Sequence, residues 1–172
     1  MNLPKPHTSQ RGFTLLLAAL VSSVVLSLGA AIFAIAQKEL TLSSTGRNSQ
    51  FAFYAADTAA ECALYWDVRY AYFGVTPPDS ITASCDGQAL NEIVSSGDRL
   101  SGNYTMTFSY DISVLQASGQ TNHYCANVSV AKTKVPVTNA VTSVVHADGF
   151  STGCAGVSND PQSLQRSVEL RY

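Results

Sequence analysis

A stretch of 26 residues between Arg11 and Lys38 contains no Lys, Arg, Asp, Glu or His. Its main part, residues 13–36, reads FTLLLAALVSSVVLSLGAAIFAIA, which is 24 almost wholly apolar residues. As an α-helix this segment would extend about 36 Å at ~1.5 Å per residue, enough to cross a hydrocarbon core of about 30 Å. A helix buried in a soluble core normally keeps a polar stripe, which this segment lacks. The sequence therefore predicts a membrane-spanning helix over residues 13–36.

The charges on either side of this span predict its orientation. Lys5 and Arg11 precede it, whereas Lys38 and Glu39 just after it cancel each other. Because positive charge accumulates on the cytoplasmic side of a span, we expect the N-terminus in the cytoplasm and residues 37–172 outside it.

Two interpretations stay open besides a span that is kept in the mature protein after removal of a short leader. Ala34-Ile35-Ala36 resembles a small-x-small cleavage site, which would make residues 1–36 a signal peptide and the rest a secreted binding domain. Against this, the apolar segment is longer than the usual signal-peptide core of about 7 to 15 residues. The second alternative is a single-pass, membrane-anchored extracellular binding domain that is never processed.

The junction in front of the span carries a more specific pattern. Residues 10–15 read Gln-Arg-Gly-Phe-Thr-Leu, and the stretch RGFTLLLAALVSSVVLSLG resembles the class III signal of type IV prepilins and pseudopilins. In that family a membrane-embedded prepilin peptidase cuts after the Gly and methylates the new amino terminus. The resemblance therefore implies a leader of residues 1–12, cleavage between Gly12 and Phe13, N-methylation of Phe13, and a mature chain of 160 residues (172 − 12).

One position departs from the family pattern. The family usually has Glu at the fifth mature residue, where this chain has Leu17, and residues 13–36 contain no carboxylate. A buried amino terminus needs an opposite charge, which that Glu is thought to supply to a neighbouring subunit. Subunits at filament tips typically lack the Glu. Leu17 therefore implies either a minor, tip-proximal or initiating subunit, or a divergent lineage that packs its helices without this pair.

Helical periodicity continues beyond the span. No Pro occurs between residues 7 and 76, and small or apolar residues share one helical face opposite Asp57 and Glu61. This face comprises Ala52, Ala55, Ala59, Cys62, Ala63 and Trp66. The segment FAFYAADTAAECALYW also resembles the N-terminal region of PilX-type minor pilins and of tip pseudopilins. We expect residues 37–72 to continue the helix as an amphipathic segment whose small-residue face lies on a sheet.

The remaining part, residues 73–172, predicts an antiparallel sheet. Pro77-Pro78-Asp79 is expected to end the helical part, and the glycine-rich residues 74–102 are expected to form loops. Strand patterns then occur in four segments: residues 104–110, 124–130, 139–147 and 167–172. The sequence thus predicts an α+β fold, in which one long N-terminal helix packs on an antiparallel sheet of about four strands. The resemblance implies the same pilin-like architecture.

Four cysteines lie in the part expected outside the cytoplasm, where disulfides persist: Cys62, Cys85, Cys125 and Cys154. Of the three possible pairings, Cys62 with Cys85 and Cys125 with Cys154 is favoured because each bond closes a short local loop. Buried free thiols are the alternative. Loops of this size would each stabilise the fold by roughly 3 kcal/mol. The second loop would resemble the disulfide-bounded C-terminal region of many pilins.

Motifs for catalysis, cofactors or metals are missing from the sequence. It contains no G-x-S-x-G, no P-loop and no H-E-x-x-H, and no cysteines are spaced as C-x-x-C. His123 and His146 do not form a ligand-like pair. His146 lies near Asp148, and a triad with Ser143 or Ser151 is conceivable, but in a chain with 21 serines such neighbours arise by chance. We expect no enzyme activity, no cofactor and no metal.

Charge argues against a specific nucleic-acid partner, because residues 37–172 carry 8 Lys plus Arg against 12 Asp plus Glu, a net charge of −4 (8 − 12). The resemblance implies a structural subunit of a type IV pilus or pseudopilus that serves adhesion, motility, uptake or secretion. Its partners would be other pilin subunits through the N-terminal helix, the prepilin peptidase, the assembly platform and the membrane. It would span the cytoplasmic membrane before assembly and lie in an extracellular filament afterwards.

Overall fold

One helix forms the first part of the protein. The computed structural model describes residues 11–76, 81–90 and 94–172, and helix α1 runs through Arg11–Tyr70. The boundary between two compact units, Met1–Thr45 and Gly46–Tyr172, falls within this helix. Residues 1–10, which are most of the predicted leader, lie outside the described residues.

In the first unit, no proline interrupts the helix, and two serine hydroxyls donate to its own backbone carbonyls. The Ser23 hydroxyl donates to the carbonyl of Leu20, and the Ser27 hydroxyl donates to that of Val24, each at 2.8 Å. Such bonds leave these hydroxyls satisfied without water. Among the described residues, α1 is the one helix whose length and composition would let it cross a membrane, and its most apolar stretch is wholly unburied.

In the second unit, α1 ends at Tyr70, two residues before the predicted end. Ala71 adopts a left-handed conformation with φ of 50°, which turns the chain out of the helix. The amides of Ala71 and Tyr72 then donate to the carbonyls of Asp67 (3.0 Å) and Trp66 (3.1 Å), which satisfies two carbonyls near the end of the helix. Pro77-Pro78-Asp79, which was expected to end the helical part, lies outside the described residues.

A five-stranded antiparallel sheet follows, in which each strand pairs with the next along the chain. Its strands are β3 (Val94–Asp98), β4 (Asn103–Leu115), β5 (Thr121–Lys134), β6 (Val141–Phe150) and β7 (Gln165–Arg171). A separate two-stranded hairpin precedes it, with β1 at Ser84–Cys85 and β2 at Gln88–Ala89. The hairpin turns at Asp86-Gly87, both with positive φ, a pair typical of a tight hairpin turn. The predicted α+β fold is confirmed.

The sheet contains one strand more than the four whose patterns are visible in the sequence. Strand β3 lies within residues 74–102, which the sequence analysis assigned to loops. Its sequence, VSSGD, has one apolar residue and a glycine, so it carries no alternating pattern. It pairs on one side only, with β4, and the side chains of residues 95–98 are exposed, so these residues are held by the ladder to the neighbouring strand.

The core lies between the second part of α1 and one face of the sheet. Six alanines of the helix are at most 3% exposed: Ala52, Ala55, Ala56, Ala59, Ala60 and Ala63. Because alanine side chains are short, the helix approaches the sheet closely. Gly149 on β6 marks the closest point, since a Cβ atom there would overlap the backbone of Ala52 and Ala56. The predicted small-residue face is confirmed, and it also includes Ala56 and Ala60.

Candidate functional site

The exposed apolar surface of α1 is the most prominent surface of the first unit. Fifteen large apolar side chains between Phe13 and Leu42 are each at least 52% exposed. A soluble monomer rarely leaves so large a contiguous apolar surface in water. The length and composition of this part of the helix therefore suit insertion into a membrane or secretion.

The residues of the predicted processing junction lie at the start of this helix. Phe13 is 71% exposed and Leu17 is 52% exposed. Their spacing of four residues places them on the same helical face, one turn apart. No acidic residue lies in the first turn of α1. Cleavage between Gly12 and Phe13, and methylation of Phe13, stay predictions.

Both expected disulfides are present in the second unit. Cys62 on α1 is bonded to Cys85 on β1, and Cys125 on β5 is bonded to Cys154 in the segment that connects β6 to β7. The first ties the β1–β2 hairpin to the helix, and the Trp66 indole reinforces it by donating to the Ser84 carbonyl at 2.9 Å. Two disulfides in one small unit are typical of a domain outside the cytoplasm.

The second disulfide holds the segment of residues 151–164 against the sheet. The amide of Cys154 donates to the carboxylate of Asp111 at 2.7 Å, and the amide of Cys125 donates to the carbonyl of Thr152 at 2.7 Å. Asp111 and Cys125 lie on the face of the sheet that points away from α1. The segment therefore covers one end of that face and leaves the rest open.

A buried polar cluster joins α1 to the sheet. Lys132 on β5 donates to the carboxylate of Asp67 and to the hydroxyl of Ser143, the latter at 2.7 Å. The phenol of Tyr172 donates to the same Asp67 carboxylate at 2.5 Å. Burial raises the pKa of Tyr172, and the hydrogen bond to Asp67 adds to this effect. The cluster thus connects the helix, two strands and the residue that follows β7.

No single motif in the sequence indicates this cluster, although the periodicity that does so is present. Asp67 follows Ala63 by four residues and so continues the buried helical face. Lys132 follows Val130 by two residues and so continues the inward face of β5. Each charged residue taken alone would be assigned to the surface, and only the two periodicities together indicate a buried pair.

A second polar cluster lies on the open face of the sheet. His146 Nε2 is 3.2 Å from the carboxylate of Asp148, and His146 Nδ1 is 3.5 Å from that of Glu169. Burial acts to raise the pKa of Asp148, but hydrogen bonds from Ser167 and Gln165, together with His146, outweigh it and lower that pKa.

Glu169 is also held by Arg171. The Arg171 guanidinium, 2.7 Å from Oε1, forms the hydrogen bond that lowers the pKa of the Glu169 carboxyl. Arg171, Glu169, His146 and Asp148 thus form one chain of polar contacts across β6 and β7.

The conceivable serine triad is not formed around His146. Ser143 lies on the opposite, buried face, where its hydroxyl accepts from Lys132. The hydroxyl of Ser151 accepts from the amide of Leu164 at 2.9 Å. Both imidazole nitrogens of His146 face carboxylates. Within residues 11–76, 81–90 and 94–172, no group of three or more His, Cys, Asp or Glu side chains is arranged to hold a metal ion.

Comparison with known proteins does not assign the chain to a family. No family model matches the chain, and neither the curated proteins nor the solved structures include a match. The class of protein is therefore defined by its architecture alone. The architecture is consistent with a pilin-like extracellular protein: a long N-terminal apolar helix packs, through its later part, on an antiparallel sheet, and the folded unit holds two disulfides.

Proposed function

We propose that the protein is a structural subunit of a type IV pilus or of a secretion pseudopilus. A prepilin peptidase removes residues 1–12, and the subunit assembles through the helix that begins at Phe13. Its role is structural, without catalysis, in a filament that serves adhesion, motility, uptake or secretion. The observation that carries this proposal is the uncovered apolar surface between Phe13 and Leu42, which starts directly at a prepilin-like junction.

The physical basis of assembly is an exchange of lipid contacts for helix contacts. Apolar helices in a bilayer gain no hydrophobic energy by associating, so close packing must drive their association. The same surface that holds the subunit in the membrane is then the surface that packs in a filament. The helix must therefore remain in the mature protein. Cleavage in front of the helix keeps this surface, whereas cleavage behind it would remove the surface.

We propose further that the subunit is a minor one, located at or near the tip. Leu17 occupies the position where shaft subunits carry a carboxylate for the amino terminus of a neighbour. Without that carboxylate, the amino terminus of an adjacent subunit would be buried without a counter-charge, which costs several kcal/mol. A tip or initiating position avoids this cost, because no subunit needs to dock in that way.

The other two interpretations place the unit of residues 46–172 outside any filament. Cleavage as a signal peptide would fall between Ala36 and Gln37, and α1 runs without interruption through this position. A permanently anchored ectodomain would keep residues 1–12.

The N-terminus of the mature protein distinguishes these possibilities. The protein is extracted from membranes, and its intact mass and first residue are determined. We expect a chain that begins at Phe13 and whose mass exceeds the calculated value by one added methyl group. A chain that begins at Gln37 would identify a secreted domain, and one that keeps Met1 or Asn2 would identify a simple anchored ectodomain. Either result would refute the proposal.

A further inference from the structure

The open face of the sheet carries two adjacent rows of polar side chains, each crossing four strands. One row contains Ser109, Asn127, Asp148 and Ser167, and the other contains Thr107, Ser129, His146 and Glu169. The members of each row are paired in register from β4 to β7. Between these rows lies a shallow depression of about 430 Å³.

The depression is lined by groups that both donate and accept hydrogen bonds. Among the described residues, the hydroxyls of Ser109 and Ser129 make no hydrogen bond, and the amide nitrogen of Asn127 donates to none. All three side chains are exposed or half-buried. Their hydrogen-bonding capacity is therefore available to a ligand.

The chemistry of the lining excludes several kinds of ligand. No Lys or Arg lines the depression, and its carboxylate, Asp148, is already bonded by Ser167 and His146. An anionic polymer would therefore find no counter-charge. Phe108 and Val128 border the depression, but both side chains are buried in the core, so the depression offers no large exposed apolar side chain to an apolar ligand.

A ligand rich in uncharged hydroxyl groups matches this lining. Sugar hydroxyls act as donor and acceptor at once, as do the hydroxyls of Ser109 and Ser129, and the Asn127 amide offers one group of each kind. The volume lies within the range of about 300 to 1,000 Å³ that small-ligand sites occupy. We propose that this depression binds a short segment of a neutral polysaccharide. Because it is shallow, the affinity of a single copy is expected to be weak.

A binding experiment with the full-length protein tests this proposal. The protein, kept in a zwitterionic detergent that contains no sugar, is passed over immobilised dextran, mannan and arabinogalactan, with heparin as the anionic comparison. We expect saturable binding to at least one neutral polysaccharide, with little dependence on salt, and weaker binding to heparin.

Variants locate the site. The double substitution Ser109→Val and Ser129→Val removes both hydroxyls while keeping side chains that favour strands, and should weaken binding at least tenfold. Thr142→Val is the matched control, because Thr142 is exposed on the same strand face outside the depression and should bind as the native chain does.

Three outcomes would overturn the proposal: no saturable binding to any of the three neutral polysaccharides, equal binding by the double variant, or preference for heparin. The site lies wholly within residues 46–172 and needs no processing. A failure to bind polysaccharide would therefore leave the proposed filament function untouched. Likewise, a failure of the filament function would leave the polysaccharide proposal untouched.

Discussion

Lys132 on β5 donates to the carboxylate of Asp67 on α1, and the two side chains are only 9% and 4% exposed. Removing one partner of a buried ion pair leaves the other charge uncompensated, at a cost of about 3 to 5 kcal/mol. We therefore expect Asp67→Leu or Lys132→Met to lower the free energy of unfolding by about 3 kcal/mol or more.

The double variant Asp67→Leu with Lys132→Met should cost less than either single change, because no charge is left buried. Urea unfolding of the full-length chain in micelles measures this, with Trp66, the single tryptophan, as the fluorescent reporter. Additive losses in the double variant would show that the pair does not interact as described.

Gly149 allows the close approach of helix and sheet. Gly149→Ala would place a Cβ atom against the backbone of Ala52 and Ala56, and backbone cannot move aside as a flexible side chain can. We expect a loss of about 1 to 3 kcal/mol in the free energy of unfolding. Gly46→Ala is the matched control, because Gly46 is helical with no atom near its Cβ position and alanine favours a helix. Equal stability of the two variants would argue against tight packing at Gly149.

The parts of this fold that the sequence predicts are those with a periodicity of their own. The apolar span, the alanine face and the alternating strands each repeat over many residues, so local sequence is enough to identify them. Strand β3 has no such repeat, since it is held by pairing with its neighbour. The end of α1 is not marked by a glycine either, because Ala71 adopts the left-handed conformation there.

The candidate sites likewise differ in whether the sequence alone reveals them. The junction at Gly12 and Phe13 is a contiguous motif and is visible in the sequence alone. The cluster around His146 is not, because Glu169 meets His146 only through the register of β6 with β7. That register depends on the length and the course of the segment of residues 151–164, and no local pattern specifies it.

Acid should weaken the open-face cluster. The pKa values of Asp148 and Glu169 are lowered in the folded protein, so both carboxylates contribute stability above their unfolded pKa values of about 4. This contribution is lost as the pH falls through the lowered pKa values of the folded protein. We expect the free energy of unfolding to fall as the pH drops below about 5, and Asp148→Asn to make that decrease shallower.

Glu61→Gln serves as the control for this pH dependence, since Glu61 is exposed on α1 and forms no ion pair with the described residues. It should leave the acid dependence unchanged. A native-like pH profile in Asp148→Asn would mean that the cluster does not contribute to acid sensitivity.

Processing should depend on Gly12. Replacing Gly12 by alanine or a larger residue is expected to block removal of residues 1–12, and therefore assembly, while residues 46–172 stay folded. Gly29→Ala is the matched control within the span, where the Cβ position is open and processing should be normal. Intact mass reports processing, and resistance of the disulfide-bonded unit to protease reports folding. Product of mature length from the Gly12 variant would contradict the prediction.

Leu17 should determine where the subunit is placed. Leu17→Glu supplies a carboxylate one turn from Phe13 on the same helical face, so the amino terminus of a neighbouring subunit gains a partner. We expect the variant to enter the filament shaft in larger amounts, measured as the ratio of this subunit to the others in sheared filaments. Leu16→Glu is the control, because it adds the same charge on a different face and should not raise incorporation. If both variants behave as the native chain does, position 17 does not limit incorporation, and the argument for a tip position fails.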